Sequence, residues 1–194
     1  QMLIMVYKMY FVRLIDILLS LCGLICVFPV LLILVIFGLF DTGAPIFRQK
    51  RLGKNQRPFM LIKFRTMRED TESVPTHLVN PSATTAFGRF LRRTKLDELP
   101  QLWNVLKGEM SLVGPRPGLP SQDALTKARA LQDVYSVKPG ITGLAQVKGI
   151  DMSTPELLAR TDAQMIAEMS VTNYFRFIFL TVIGNGKGDR IKQK

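Results

Sequence analysis

Ile17–Phe40, ILLSLCGLICVFPVLLILVIFGLF, runs for 24 residues without a charge. As a helix rising about 1.5 Å per residue it reaches about 36 Å, enough to cross a hydrocarbon layer about 30 Å thick with some tilt. Burying it on every side would need more surrounding protein than the rest of a 194-residue chain supplies, so the run reads as membrane-embedded. Lys8 and Arg13 precede it as in a leader, but it exceeds the roughly 7–15 apolar residues of a signal peptide and lacks a small-x-small exit. The expectation is a retained segment.

Pro29 stands at the centre of the run. It removes one backbone donor and crowds the carbonyl four residues back, which predicts a kink or break. A kinked spanning helix and a re-entrant hairpin both satisfy this. Charge favours the hairpin: Lys8 and Arg13 lie before the run, and Arg48, Lys50, Arg51, Lys54 and Arg57 follow it. With cations on both flanks the positive-inside rule gives no preferred single crossing, whereas a hairpin keeps both clusters on the cytoplasmic side.

The whole chain carries 26 Lys+Arg against 15 Asp+Glu, a net charge of +11, with 47% hydrophobic residues. That excludes a disordered tail and points to a phosphate-rich surface, either nucleic acid or an anionic bilayer. Cys22 and Cys26, both inside the apolar run, offer no disulfide framework or zinc knuckle and fit a reducing compartment.

Beyond the run, residues 45–49 and 59–64 read as a β-hairpin around 53–58, and residues 48–68 hold eight cations and no acid. Residues 69–86, with Pro75, His77 and Pro81, read as a long loop in which His77 is solvated. Residues 87–107 read as two helices, with Leu99, Leu102, Trp103 and Leu106 forming a core-facing stripe that Gly108 ends. Gly114-Pro115-Arg116-Pro117-Gly118 predicts a stiff loop presenting Arg116. A helix over 121–136, a turn at 138–143, a strand over 144–148 and a helix over 155–170 follow. Tyr174, Phe175, Phe177, Ile178 and Phe179 fit either core or an interfacial helix, and the basic tail 187–194 suits anionic lipid.

Asp97 and Glu98 sit among Arg92, Arg93 and Lys95, directly before Leu99-Pro100. Pro100 is expected to push Leu99 out of helical geometry and to open a helix, leaving the acids at its N-terminus. They read as caps, or as chemistry. Cations keep carboxylates ionised and gather phosphates that two negative charges would otherwise repel. One carboxylate is then poised to attack phosphorus, and its neighbour to hold Mg²⁺, which commonly takes one or two carboxylates plus substrate phosphates. Arg116 would clamp an oxyanion, with Lys63 and Arg65 adding charge from the strand; a solvated face or headgroup contact is the plainer reading of these cations.

Four blocks now stand in order: Lys63-Phe64-Arg65-Thr66-Met67; Leu96 to Gly108; Met110 to Pro117; and Pro139 to Val147. Together they resemble the bacterial sugar transferase family of monotopic phosphoglycosyl transferases, over about Phe11 to the early 180s. The resemblance implies transfer of a phosphosugar from a UDP-sugar to a polyprenyl phosphate, giving a polyprenyl-diphospho-sugar and UMP. It places this reaction at the cytoplasmic face of the bacterial inner membrane, as the first membrane step of a surface glycan pathway. It implies Asp97 as nucleophile, Glu98 associated with Mg²⁺, and Arg116 on phosphate or nucleotide. Lys63 and Arg92 match further basic positions, and Asp162 lies near a later acid. The implied fold is α+β, a helix-rich domain with short strands resting on amphipathic interfacial helices. A re-entrant membrane helix broken at a Ser-Pro pair precedes it; here Phe28 precedes Pro29. The division is then 1–43 membrane-embedded and 44–194 cytosolic and catalytic. Many relatives have Gly-Arg where Lys148-Gly149 stands, so the sugar stays open, as does a homodimer.

Two rivals remain. A membrane-tethered nucleic-acid binder accounts for the charge but not for acids among arginines, and its aromatics do not alternate with cations as a stacking platform needs. A non-catalytic basic membrane scaffold accounts for the apolar segment and the amphipathic helices only. The partners expected are therefore a UDP-sugar, polyprenyl phosphate and anionic lipid, without nucleic acid.

Overall fold

The computed structural model describes residues 2–71 and 81–183, with side chains from Tyr10 onward, Pro81 excepted. His77, Pro75, the side chain of Lys8 and the tail 187–194 lie outside the described residues. The chain runs α1 (Met2–Thr42), β1 (Ile46–Leu52), β2 (Pro58–Phe64), α2 (Ala86–Thr94), a 3₁₀ turn (Leu96–Glu98), α3 (Gln101–Lys107) and β3 (Ser111–Val113). Then come α4 (Asp123–Leu131), β4 (Gly140–Thr142), α5 (Leu144–Lys148), α6 (Pro155–Ala167) and α7 (Val171–Val182). It is an α+β chain, helix-rich, with two small sheets. β1 and β2 form an antiparallel hairpin in which Phe47 faces Lys63, and β3 pairs with β4 in parallel.

Helical structure continues from Met2 to Thr42 with Pro29 inside. Tyr10–Thr42 is long and apolar enough to cross a membrane, yet only 11% of its most apolar window is buried. It is therefore no core helix. It nevertheless lends a narrow face to the domain at several levels. Val12 and Ile15 pack against Val113, Met165, Tyr174 and Phe177. A Cβ on Gly23 would lie 3.2 Å from Leu102. Leu31, Leu34 and Val35 join Phe64 and Leu91 in a second cluster.

Polar groups near the start of α1 reinforce this packing. Arg13 donates to the carbonyls of Val105 and Leu106 at 2.6 and 2.9 Å, satisfying the carboxyl end of α3. Asp16, 2% exposed, accepts from Ser111 Oγ, the Leu112 N–H and the Tyr174 hydroxyl at 3.0, 2.8 and 2.6 Å. Burial and the Asp16 carboxylate push the Tyr174 hydroxyl well up from its usual range, so it stays a donor throughout the working pH range.

Several sequence expectations are corrected. Residues 144–148 form a helix: the strand begins earlier, at Gly140, where backbone pairing to β3 is available, and Gly149 closes the helix in the left-handed region. A five-residue apolar run does not distinguish the two periods. The helix expected over 121–136 covers only Asp123–Leu131, because Asp133 turns left-handed before a 3₁₀ turn at Val134–Ser136. Leu99 keeps helical φ and ψ of −54° and −39°, so the chain passes from 3₁₀ turn to α3 without an extended break. The steric bias before proline yields here to the bonds from Leu99 N–H to Leu96 and from Leu102 N–H to Leu99. Trp103 is 53% exposed rather than core, since α3 meets α1 through Leu102 instead.

Candidate active site

The end of β2, the stop of α2, the 3₁₀ turn and the Gly114–Gly118 loop converge. Gly88 lets α2 approach the strand end closely: a Cβ there would meet the Thr66 carbonyl oxygen at 2.0 Å. This contact sets Arg92 beside Thr66, whose Oγ1 accepts from its Nε at 2.8 Å. Lys95 then reverses the chain at φ 59°, a left-handed value that costs a non-glycine residue about 1–2 kcal/mol. The reversal turns Asp97 inward, to 5% exposure, on a 3₁₀ turn packed against α2 and β2.

Neither acid occupies the α3 cap position, which Pro100 holds without a side-chain bond. Glu98 turns instead to the loop, where its Oε1 accepts from Arg116 Nη2 at 2.8 Å. The two side chains are 13% and 20% exposed, so this pair is shielded enough to matter and open enough to meet a ligand.

Arg116 reaches Glu98 from an unusually constrained loop. All five of its carbonyls accept hydrogen bonds. Gly114 O accepts from Gln146 Nε2 at 3.3 Å, and Pro115 O from the Gly140 N–H at 2.9 Å. Arg116 O accepts from Arg129 Nη1 at 2.8 Å, Pro117 O from Arg51 Nη1 at 3.0 Å, and Gly118 O from the Leu52 N–H at 3.0 Å. Glycine at 140 permits this, because a Cβ there would lie 2.0 Å from Gly114 N. A small cleft borders the loop, lined in part by Arg116, Arg129, Tyr135 and Pro139.

The other expected residues are placed as follows. Lys63 is buried, its Nζ 5.6 Å from the Phe47 ring centre, and belongs to the strand against which the acid turn packs. Arg65 lies 5.5 Å from the same ring and donates through Nε to the Ala44 carbonyl, at the junction of α1 and β1. Asp162 is fully buried and is brought to the site only through Arg129, whose Nε and Nη2 it accepts at 3.0 and 2.7 Å. Burial pushes the Asp162 carboxyl up from the usual carboxylate range, against the pull of Arg129. Pro29 lies outside this cluster, in α1. The sequence gives no sign that Arg129, Arg51 and Gln146 hold this loop: Arg51 reads there as a flanking cation, Gln146 as part of the fourth block and Arg129 as one polar residue of a helix.

A membrane-length helix is thus joined to a small α+β domain in which Glu98 pairs with Arg116 beside the buried Asp97. The chain belongs to the bacterial sugar transferase family, whose sequence profile matches residues 7–187. It is 38% identical over 84% of its length to galactosyl transferase CpsE of Streptococcus agalactiae serotype III (strain NEM316), covering 38% of that protein. It is 40% identical over 90% of its length to the UDP-glucose:undecaprenyl-phosphate glucose-1-phosphate transferase of Klebsiella pneumoniae, covering 40% of it. To the uncharacterized sugar transferase EpsL of Bacillus subtilis (strain 168) it is 37% identical over 88% of its length, covering 84% of that protein. The chain thus spans about two fifths of the first two of these relatives.

Proposed function

We propose that this chain transfers a phosphosugar from a UDP-sugar to a polyprenyl phosphate, releasing UMP. The carrying observation is the 2.8 Å contact between Arg116 and Glu98, with buried Asp97 one residue away on the same turn. Family membership and the names of the relatives support the same reading.

In the first step an Asp97 carboxylate oxygen attacks the phosphorus that bears the sugar. The bond from that phosphorus to the bridging oxygen breaks, and the oxygen leaves with UMP. In the second step a phosphate oxygen of the polyprenyl acceptor attacks the same phosphorus, and the carboxylate leaves. Arg116, beside Glu98, brings its positive charge to the phosphate oxygens, and Lys63 and Arg92 add positive charge around the acid turn.

The acids present fit a Mg²⁺ site completed by substrate. Glu98 commits Oε1 to Arg116 and keeps Oε2 for a cation, and among the described residues no cluster of three or more acid, His or Cys ligands forms a protein cage. Glu98 and Asp97 would hold the ion, which supplies charge neutralisation of the diphosphate. Incubation of the purified protein with a panel of UDP-sugars and polyprenyl phosphate tests the whole reading. UMP is expected with at least one sugar and is expected to vanish in excess EDTA. Absence of UMP across the panel overturns the transferase, and full activity in EDTA overturns the metal.

We place the protein on the cytoplasmic face of the bacterial inner membrane, residues 1–43 embedded and 44–194 cytosolic. A re-entrant course for α1 is supported by the cations on both flanks of its apolar run, Arg13 before it and Arg48, Lys50 and Arg57 after it. Exposed Trp103, Phe175, Phe179 and Val182 support interfacial helices, and exposed Arg48, Lys50 and Arg57 support contact with anionic lipid. With Cys22 and Cys26 replaced, single cysteines at positions 8 and 50 are expected to label from the same side of the membrane. Opposite sides would establish a spanning helix.

A further inference from the structure

We propose that Arg129 and Asp162 are positioning residues for the transfer step, fixing the Arg116 peptide so that its guanidinium meets Glu98. The proposal rests on the transferase reading for its chemistry, but not for its geometry. Arg129 is 2% exposed and Asp162 fully buried. Replacing a buried ion pair with well-packed apolar side chains is often neutral or stabilising, so stability alone is a poor account of this one.

The bond pattern gives a better account. Asp162 Oδ2 takes both Nε and Nη2 of Arg129, while its Oδ1 is buried with no hydrogen-bond partner. All of the hydrogen bonding shown for Asp162 thus goes to one guanidinium, fixing its rotation. The remaining Nη1 leaves the α4–α6 contact and donates at 2.8 Å to the Arg116 carbonyl, on the residue whose side chain holds Glu98. The relay therefore runs Asp162, Arg129, Arg116, Glu98. It requires a planar fork that serves a carboxylate and a carbonyl together, which lysine cannot supply.

The test compares the full chain with Arg129→Lys and with Arg129→Met/Asp162→Leu, each with and without Arg116→Ala. Two readouts are followed: UMP release, and amide hydrogen exchange at Leu52 and Gly140, whose N–H groups donate to the loop carbonyls of Gly118 and Pro115. Arg129→Lys is expected to lower kcat/KM on the order of 10²-fold, the scale of a misplacement of about 1 Å. In the Arg116→Ala background the same change is expected to cost less than about threefold, because coupled groups are not additive. Exchange at Leu52 and Gly140 is expected to rise at least about tenfold while the α4 and α6 amides keep their protection.

Full losses in both backgrounds, restoration by lysine, or unchanged exchange at both amides would each overturn the proposal. Should Arg129→Lys also expose α4 and α6, the apolar double variant decides: wild-type activity with a tight loop refutes the relay, and a folded domain with a loosened loop supports it. If the wild-type chain releases no UMP, the transferase reading fails, while the exchange measurement still decides the positioning.

Discussion

Asp97→Asn is expected to cut UMP release from a UDP-sugar by at least roughly 10³-fold while leaving the protein membrane-bound. The substitution keeps the shape of a side chain that is 5% exposed, so the 3₁₀ turn should retain its packing on α2 and β2. It removes the negative charge and nucleophilicity of the carboxylate, and an amide does not attack phosphorus. The Arg116–Glu98 contact does not pass through Asp97, so the loss should fall chiefly on kcat, with a smaller rise in KM from the weakened metal site. Normal turnover in this variant would remove Asp97 from the chemistry. A loss confined to KM would recast it as a binding group.

The second large effect concerns stability. Asp16→Ala takes one acceptor from three donors: Ser111 Oγ, the Leu112 N–H and the Tyr174 hydroxyl. The bonds to Ser111 and Tyr174 are buried, and burial without a partner costs about 1–3 kcal/mol per group, so a loss of roughly 3–5 kcal/mol is expected. In detergent that should lower Tm by roughly 10 °C or more for a chain of this size. Asp16→Asn retains an acceptor and should lose clearly less. An Asp16→Ala midpoint equal to wild type would mean that α1 is tethered to the domain but not part of its core.

Local punctuation made much of the site readable. The acid pair lies on a turn framed by Lys95 and Pro100, though without the extended break that Pro100 predicts, and Pro115 and Pro117 flank Arg116; both features are contiguous in sequence. The hairpin followed from its turn between two β-forming runs and is only longer than anticipated. What sequence did not reveal is non-local. Arg129 sits in an amphipathic helix where an arginine reads as solvent-facing, and its partner Asp162 comes 33 residues later. Arg13 read as a topogenic charge, yet its guanidinium closes the end of α3, 92 residues away. Short segments failed for another reason: five residues at 144–148 carry too few turns of either period to separate helix from strand.

The Asp16–Tyr174 bond joins residues 158 positions apart. On a ribosome adding about 5–20 residues per second, the carboxylate would wait roughly 8–30 s before its last partner exists. During that interval a bare anion sits at the margin of this hydrophobic stretch, and moving it into lipid is costly. Insertion would thus be settled while one margin of the segment is held in water, before α7 has been made to close over it.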